Sequence, residues 1–188
     1  MNRRYTVAMR VARLFTLTGL LALGLLITAC SIEDALPAPD CIDGNTVNLG
    51  AQSVPTAELV PCFDPLPDGW TVDNVRIDQD GTEVRFDSDR AGDDAAIFHY
   101  TEACDIGDAV GAPSEQEGAD RFEYIERVDP GFRAQRYYVF PGGCIRWEFD
   151  FGEDATAALS IELGDRLRTV TRDALNERIR ESFLDERL

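Results

Sequence analysis

The stretch from residue 145 to residue 151 constrains the fold of this chain more than any other short segment. Four apolar side chains, Ile145, Trp147, Phe149 and Phe151, alternate there with one arginine and two acidic residues. Successive side chains of a β-strand point to opposite faces, so this period of two predicts a strand with one buried face and one wet face. Strands of this kind are typical of antiparallel sheets, and the stretch therefore predicts a sheet of that type.

Several other strand patterns precede this one. Asp80-Gly81 is a hairpin turn signal between two alternating runs, at 75–78 and 83–87. Further strands are predicted at 95–101, 122–125 and 135–140, whereas 105–120 contains three glycines and a proline and is expected to form a loop. The sequence thus predicts a mainly antiparallel sheet of about five to six strands.

The C-terminal part changes to a helical period. Apolar residues recur at steps of three and four from Leu167 to Phe183, which predicts an amphipathic helix over 166–184 that packs on one face of the sheet. Residues 155–163 are also expected to be helical, although 159–163 alternate as a strand would. Residues 45–61 are expected to form short extended pieces. We therefore expect an α+β fold.

The first thirty residues have the pattern of an export signal. Arginines at positions 3, 4, 10 and 13 precede an apolar run over 14–29. This run is shorter than the ~20 residues that a membrane-spanning helix needs. Ile27-Thr28-Ala29-Cys30 resembles the lipobox of bacterial lipoproteins. This resemblance implies that the Cys30 thiol is acylated and that Cys30 becomes the first residue of the mature chain.

The resemblance divides the chain into a signal peptide at 1–29, a lipidated tether at 30–40 and one domain at 41–188. It implies a location at the extracytoplasmic face of the cell membrane, with the membrane as a partner through the lipid. The formal net charge of the sequence is −17, and loss of the four signal arginines would bring it to −21. So acidic a chain excludes nucleic acid as an expected partner, because phosphate binding depends on cationic side chains.

With Cys30 assigned to lipid, four cysteines remain: Cys41, Cys62, Cys104 and Cys144. An even number of cysteines in an exported domain predicts two disulfides. Three connectivities are possible, and we favour Cys41–Cys62 with Cys104–Cys144, because sequential pairing closes two separate loops. A metal site is not expected, since no Cys-x-x-Cys occurs and the chain has a single histidine.

Two acidic clusters have residue types that can bind a cation. Asp78-Gln79-Asp80-Gly81 resembles the middle of an EF-hand loop, but Arg76 would then occupy the first ligand position, which favours a hairpin turn. The acidic residues of 87–94 could collect calcium oxygen ligands, although a solvated loop explains them more simply. We predict no metal and no cofactor.

Catalytic signals are weak. His99 is the only histidine, no Gly-x-Ser-x-Gly occurs, and His99 is expected to be a partly buried strand residue. The alternative is a small cell-envelope hydrolase that uses a pair of carboxylates, because an acidic chain offers many candidate pairs.

The aromatic residues of 122–151 are expected to form most of the core. A minority could line a groove on the sheet, with Arg136 and Tyr137 as candidate ligand-binding residues. The mature domain resembles uncharacterised envelope lipoproteins in two segments, Leu66-Pro67-Asp68-Gly69-Trp70 and Phe140-Pro141-Gly142-Gly143-Cys144. We therefore expect a non-enzymatic, lipid-anchored envelope domain that binds an envelope protein or a small ligand.

Overall fold

The computed structural model describes residues 39–41 and 45–185, without the side chains of residues 45 and 182–185. The predicted signal peptide at 1–29, the predicted lipidation site Cys30 and most of the 30–40 tether lie outside the described residues. At the end of that tether, the backbone N–H of Phe63 donates to the carbonyl of Pro39 at 2.7 Å, and Asp40 forms a parallel bridge with Phe63. The chain therefore enters the domain beside the strand that contains Phe63.

Nine strands and three helices make up the described part of the chain, which confirms an α+β fold. In chain order they are α1 (Asn45–Ser53), β1 (Leu59–Phe63), β2 (Trp70–Asp78), β3 (Gly81–Ser88), β4 (Gly92–Thr101), β5 (Val110–Ala112), β6 (Asp120–Arg127), β7 (Phe132–Phe140), β8 (Gly143–Phe151), α2 (Ala158–Gly164), β9 (Leu167–Thr171) and α3 (Arg172–Asp185). The expectation of five to six strands was too low.

The strands form two sheets. Seven of them pair antiparallel in the order β2-β3-β4-β8-β7-β6-β5, and β1 pairs antiparallel with β9 in a separate two-stranded sheet. The predicted hairpin at Asp80-Gly81 is confirmed as the β2–β3 turn. The stretch 145–151 lies within β8, which is the central strand of the seven.

The core lies on one face of the large sheet, which we call the inner face. Ile145, Trp147, Phe149 and Phe151 all point to it and are at most 2 % exposed, as the alternation predicts. The small sheet and α2 cover this face through a cluster that includes side chains of β1, β9 and α2. The Trp147 ring lies 5.8 Å from that of Phe63 in β1, measured between centroids. Aromatic packing therefore joins the two sheets.

The N-terminal helix α1 was missed by the sequence analysis, which expected extended pieces at 45–61. Its residues include glycine and β-branched side chains, which are weak helix formers, so propensity gave no signal. Tertiary contacts stabilise the helix instead. The Arg172 guanidinium donates to the carbonyls of Ala51 (3.1 Å) and Val54 (2.7 Å), at the end of the helix where its dipole favours a cation.

The C-terminal helix begins six residues later than predicted, because Leu167–Thr171 is strand β9. Pairing with β1 fixes these five residues as extended, and the Thr171 hydroxyl then accepts a hydrogen bond from the Ala174 N–H (3.2 Å), as an N-cap does. Leu175 is buried in a second cluster with α1 and β1 residues, and Ile179 packs against it. The helix α3 thus packs on the small sheet and α1, not across the large sheet as expected.

Two disulfides join Cys41 to Cys62 and Cys104 to Cys144, the pairs that the sequence analysis favours. The first ties the N-terminal segment to β1. The second ties the segment after β4 to β8, where Cys144 points to the face opposite Trp147. That segment also contains β5, so the predicted 105–120 loop includes a short strand. Disulfides are typical of proteins that fold in an extracellular or otherwise oxidising compartment.

Candidate functional site

The face of the large sheet opposite the core, the outer face, carries a row of charged residues over β3, β4 and β8. Antiparallel register places Glu83 opposite His99, and His99 opposite Arg146. Residues directly opposite in an antiparallel pair share a face, so these side chains are neighbours. His99 Nδ1 lies 3.7 Å from Glu83 Oε2, and His99 Nε2 lies 3.0 Å from Glu148 Oε1. The single histidine of the chain therefore stands between two carboxylates.

Two arginines complete this cluster, which we call the outer charge network: Glu83, Arg85, His99, Arg146 and Glu148. Arg85 Nε donates to Glu83 Oε1 at 2.9 Å, and Arg146 Nη2 lies 2.7 Å from Glu148 Oε1. The side chains of Arg85, Arg146 and Glu148 are 36–37 % exposed. The network thus combines cations and carboxylates on a partly exposed sheet surface.

The carboxylate of Glu148 is held in its ionised form. Its contact with His99 lowers its pKa, and Arg146 adds to this effect, whereas partial burial opposes it. Opposite charges and hydrogen bonds favour the charged form of a carboxyl group, while desolvation disfavours it. Glu148 is therefore an acceptor at neutral pH, suited to contact with a cationic or hydrogen-bond-donating group.

Tyr137 lies on the outer face, at the border of this network. It pairs in register with Arg146, its hydroxyl donates to the Gln135 side chain, and it is only 4 % exposed. Burial raises the pKa of Tyr137, although the nearby Arg146 acts in the opposite direction. The Cys104–Cys144 disulfide holds the segment after β4 over this end of the outer face, and Asp105 of that segment lies close enough to Tyr137 to influence it electrostatically.

Arg136, the other candidate ligand-binding residue, points to the inner face. Its Nε donates to Glu123 Oε1 at 2.8 Å, and its Nη1 lies 3.5 Å from the Ser160 carbonyl oxygen of α2. Its guanidinium carbon also stands 5.5 Å from the centre of the Phe149 ring, a cation–π distance. The structure therefore does not bring Arg136 and Tyr137 together, because adjacent strand residues face opposite ways.

Arg136 belongs to a second cluster, the inner ion-pair network: Glu115, Arg121, Glu123, Arg136 and Tyr138. Arg121 joins both acids, with its Nη1 donating to Glu115 Oε2 at 2.8 Å and its Nη2 donating to Glu123 Oε1. The Tyr138 hydroxyl donates to Glu115. Burial acts to raise the pKa of Glu115 and of Glu123, but the hydrogen bonds that these groups accept outweigh it, and both pKa values are lowered.

Helix α2 crosses directly over this network. A side chain at Gly164 would place its Cβ 2.4 Å from Arg136 Nη1, which is closer than atoms approach in folded proteins. Glycine at this position therefore permits the close passage of α2 over the guanidinium. The arrangement is that of a packed structural layer, in which each charged group has a partner.

A shallow groove of about 720 Å³ lies between the 65–69 loop and Arg166. Arg90 spans it: its guanidinium donates to both oxygens of Glu162, at 3.0 and 2.5 Å, and to the Asp68 carbonyl at 2.9 Å. This bidentate pair is strong and specific in geometry. Arg90 thus joins the 65–69 loop to α2.

The acidic loops form local turns. Asp78 Oδ1 accepts the N–H of Asp80 at 2.9 Å, and Asp87 Oδ1 accepts the N–H of Asp94 at 2.8 Å. Asp94 also accepts from Arg85 at 3.3 Å. In the part of the chain that the structure describes, no three histidine, cysteine, aspartate or glutamate residues are grouped so that they could hold a metal ion.

The outer charge network was not found from the sequence. The alternation in β3, β4 and β8 places each of its members on a wet face, but only the strand order β3-β4-β8 makes them neighbours. No helix among residues 39–41 and 45–185 is long and apolar enough to cross a bilayer. Comparisons of the chain with protein-family models, with curated proteins and with solved structures found no match.

Proposed function

We propose that this chain is a lipid-anchored binding domain on the extracytoplasmic face of the cell membrane, attached through acylated Cys30. The basic and apolar start of the sequence and its lipobox-like end support the export and the anchor. The two disulfides support an oxidising compartment. A cell-envelope protein is the partner that we propose for the domain.

The observation that carries the binding role is the outer charge network. Three cationic or titratable groups and two carboxylates lie side by side on the outer face, with side chains that are 15–37 % exposed. Arg85 and Arg146 are its most accessible cations, and partly exposed ion pairs stabilise a fold only weakly, so a partner with complementary charges can exchange them for pairs across an interface at little expense to the domain. Tyr137 borders this surface, whereas we assign Arg136 to the inner ion-pair network.

The alternative, a carboxylate-based hydrolase, requires a carboxyl group that is protonated at neutral pH and acts as a general acid. Glu115, Glu123, Glu148 and Glu162 all have lowered pKa values, because hydrogen bonds and nearby cations favour their charged forms. Each of these four groups is therefore ionised at neutral pH. None of these four groups is therefore a candidate for the protonated acid of such a mechanism.

The anchor is tested by expressing the full chain and its Cys30→Ala variant in a bacterium that processes lipoproteins. We expect the full chain in the membrane fraction, with an intact mass that corresponds to residues 30–188 plus a lipid on Cys30. We expect the variant to be released from the membrane or to keep its signal. An unsubstituted chain whose mature N-terminus is another residue would overturn the anchor.

The binding surface is tested separately by photo-cross-linking in cells. Ile97 lies in the middle of the outer charge network, between Arg85 and Glu148 in register, and is replaced by benzoylphenylalanine. We expect a discrete cross-linked envelope protein that disappears when Arg85→Glu and Arg146→Glu are added. Ile161, exposed on α2 in the opposite layer, is the matched control position. Equal cross-linking from both positions would overturn the assignment.

A further inference from the structure

The exposed apolar side chains of the domain collect at one edge of the large sheet. Of the six large apolar residues that are exposed in the described part of the chain, four lie on β5, on β6 or directly after β6: Val110, Tyr124, Ile125 and Val128. They are 43–69 % exposed. Concentrated apolar exposure on an otherwise acidic domain is typical of an interaction site.

The backbone is also open at this edge. Strand β5 pairs only with Arg121, Phe122 and Glu123 of β6, and its first residue, Val110, lies opposite Glu123. From Tyr124 onward, β6 has β7 on one side and no strand on the other, among the described residues. Unpaired N–H and C=O groups on an edge strand are a template for another strand. We call the segment from Tyr124 to Val128 the free edge.

A β-bulge in the free edge determines which of its side chains lie on the outer face and which lie on the inner face. Ile125 pairs with Ala134 and Arg127 with Arg133, so Glu126 is an extra residue in β6. Glu126 and Arg127 both reach outer-face partners: Glu126 lies 3.6 Å from Arg133, and Arg127 lies 3.3 Å from Asp150. Ile125 shares the inner face with Ala134. Strand β6 ends at Arg127, and continuing its alternation by one residue places Val128 on that same face.

We propose that the free edge pairs antiparallel with the free edge of a second copy of this chain. A two-fold axis between Glu126 and Arg127 places each Glu126 opposite the second copy's Arg127, and each Ile125 opposite the second copy's Val128. Outer residues then meet outer residues, and inner residues meet inner residues. The order apolar, acidic, basic, apolar from Ile125 to Val128 is complementary to itself when it is reversed, as a two-fold interface requires.

The charges select this register over its neighbours. A shift by one residue in either direction places Glu126 opposite Glu126, or Arg127 opposite Arg127, on the axis, and like charges directly opposite each other are destabilising. The length also fits, because β5 begins at Val110 and leaves four residues of β6, Tyr124 to Arg127, without a strand neighbour on that side. The result is a sheet that continues from one copy into the other.

An interface of this size gives weak association, because it buries far less surface than a stable dimer does. Attachment of both copies to one membrane, as proposed above, raises their effective concentration and favours the paired state. The pairing itself depends on the free edge and not on the anchor. It is therefore testable on purified protein as well as on membranes.

The test uses the full chain with benzoylphenylalanine in place of Tyr124, purified in mild detergent and examined again in the membrane fraction. In the proposed register, position 124 lies opposite residue 129 of the second copy. We expect a cross-linked dimer of the chain, with the cross-link mapped by mass spectrometry to 125–131. Cross-linking to a different protein, or to another part of the chain, would overturn the proposal.

Charge exchange tests the register itself. Glu126→Arg alone and Arg127→Glu alone each create two like-charge contacts across the axis, and we expect the dimer to be about tenfold weaker in either variant. The double variant, E126R with R127E, restores both opposite-charge contacts and is expected to recover the dimer. Failure of the double variant to recover it, or equal cross-linking in all variants, would refute the pairing.

Two controls separate the pairing from other effects. Arg76→Glu alters an exposed charge on β2, at the far edge of the same sheet, and is expected to leave the cross-linked fraction unchanged. Thermal unfolding of each variant reports whether the domain is folded. A variant that loses the dimer only in membranes would show that the association depends on the anchor. A variant that loses the dimer in detergent as well would show that the association depends on the free edge.

Discussion

The inner ion-pair network and the outer charge network both join arginines to glutamates on strands of the same sheet, but they differ in how deeply their arginines are buried. The Arg136 side chain of the inner network is 8 % exposed, whereas those of Arg85 and Arg146 in the outer network are 37 % and 36 % exposed. A buried ion pair is costly to break because it leaves an uncompensated charge, while an exposed pair exchanges readily with water. The comparison indicates structure on one face and binding on the other.

The largest expected difference comes from removing one arginine from each network. Arg136→Ala leaves Glu123 partly buried with one cation fewer and opens a space under α2, so we expect the free energy of unfolding to fall by about 3 kcal/mol. Arg146→Ala, the matched variant on the outer face, is expected to lower it by about 0.5 kcal/mol. Urea unfolding of the oxidised proteins measures both values. Equal losses would break the distinction between the two faces.

The disulfide on the outer side offers the next test. Replacing Cys104 and Cys144 together by alanine is expected to lower the free energy of unfolding by about 2–4 kcal/mol, because the unfolded chain gains freedom. It should also release the segment over Tyr137 and speed nitration of that tyrosine, as followed by peptide mass spectrometry. Replacing Cys41 and Cys62 is the control: a similar loss of stability is expected, without faster nitration of Tyr137.

Acid titration compares the two networks through their carboxylates. Folding lowers the pKa values of Glu123 and Glu148 from an ordinary 4.5, so the unfolded state binds more protons below that pH. Their contribution to stability is therefore complete above about pH 5 and is lost as the pH falls through the folded pKa values.

Glu123→Gln should remove more of this acid-dependent loss than Glu148→Gln, because Glu123 accepts from two arginines. We expect a difference on the order of 1 kcal/mol between pH 6 and pH 3 for Glu123. Denaturant unfolding at a series of pH values measures it. A steeper effect for Glu148 would reverse the ranking of the two networks.

The smallest expected effect concerns His99. Its contact with Glu148 lowers the pKa of that carboxyl, so His99→Gln should raise the Glu148 pKa toward its ordinary value. Stability at neutral pH should change by less than about 1 kcal/mol, since the pair is partly exposed. Carboxyl-carbon NMR titration of Glu148 checks the first point. An unchanged titration would exclude His99 as the main cause of the lowered pKa.

Prediction from the sequence worked best where one residue pattern decides one element. The alternation in β8, the Asp80-Gly81 turn and the even number of cysteines all had direct structural counterparts. It was wrong where tertiary contacts override local preference. Helix α1 depends on Arg172, more than a hundred residues away, and β9 is extended because it pairs with β1, although its apolar spacing also fits a helix.

The sequence by itself determined the α+β class and which face of β8 is buried, because hydrophobic periodicity follows from the geometry of a single strand. Only the tertiary structure decided which strands are neighbours. That order places Glu83, His99 and Arg146 side by side. It also leaves the end of β6 without a partner strand on one side. The packing of α2 on the inner face brings it against Arg136. The physical reason is that strand pairing joins residues far apart in the chain, and local patterns do not specify such long-range pairs.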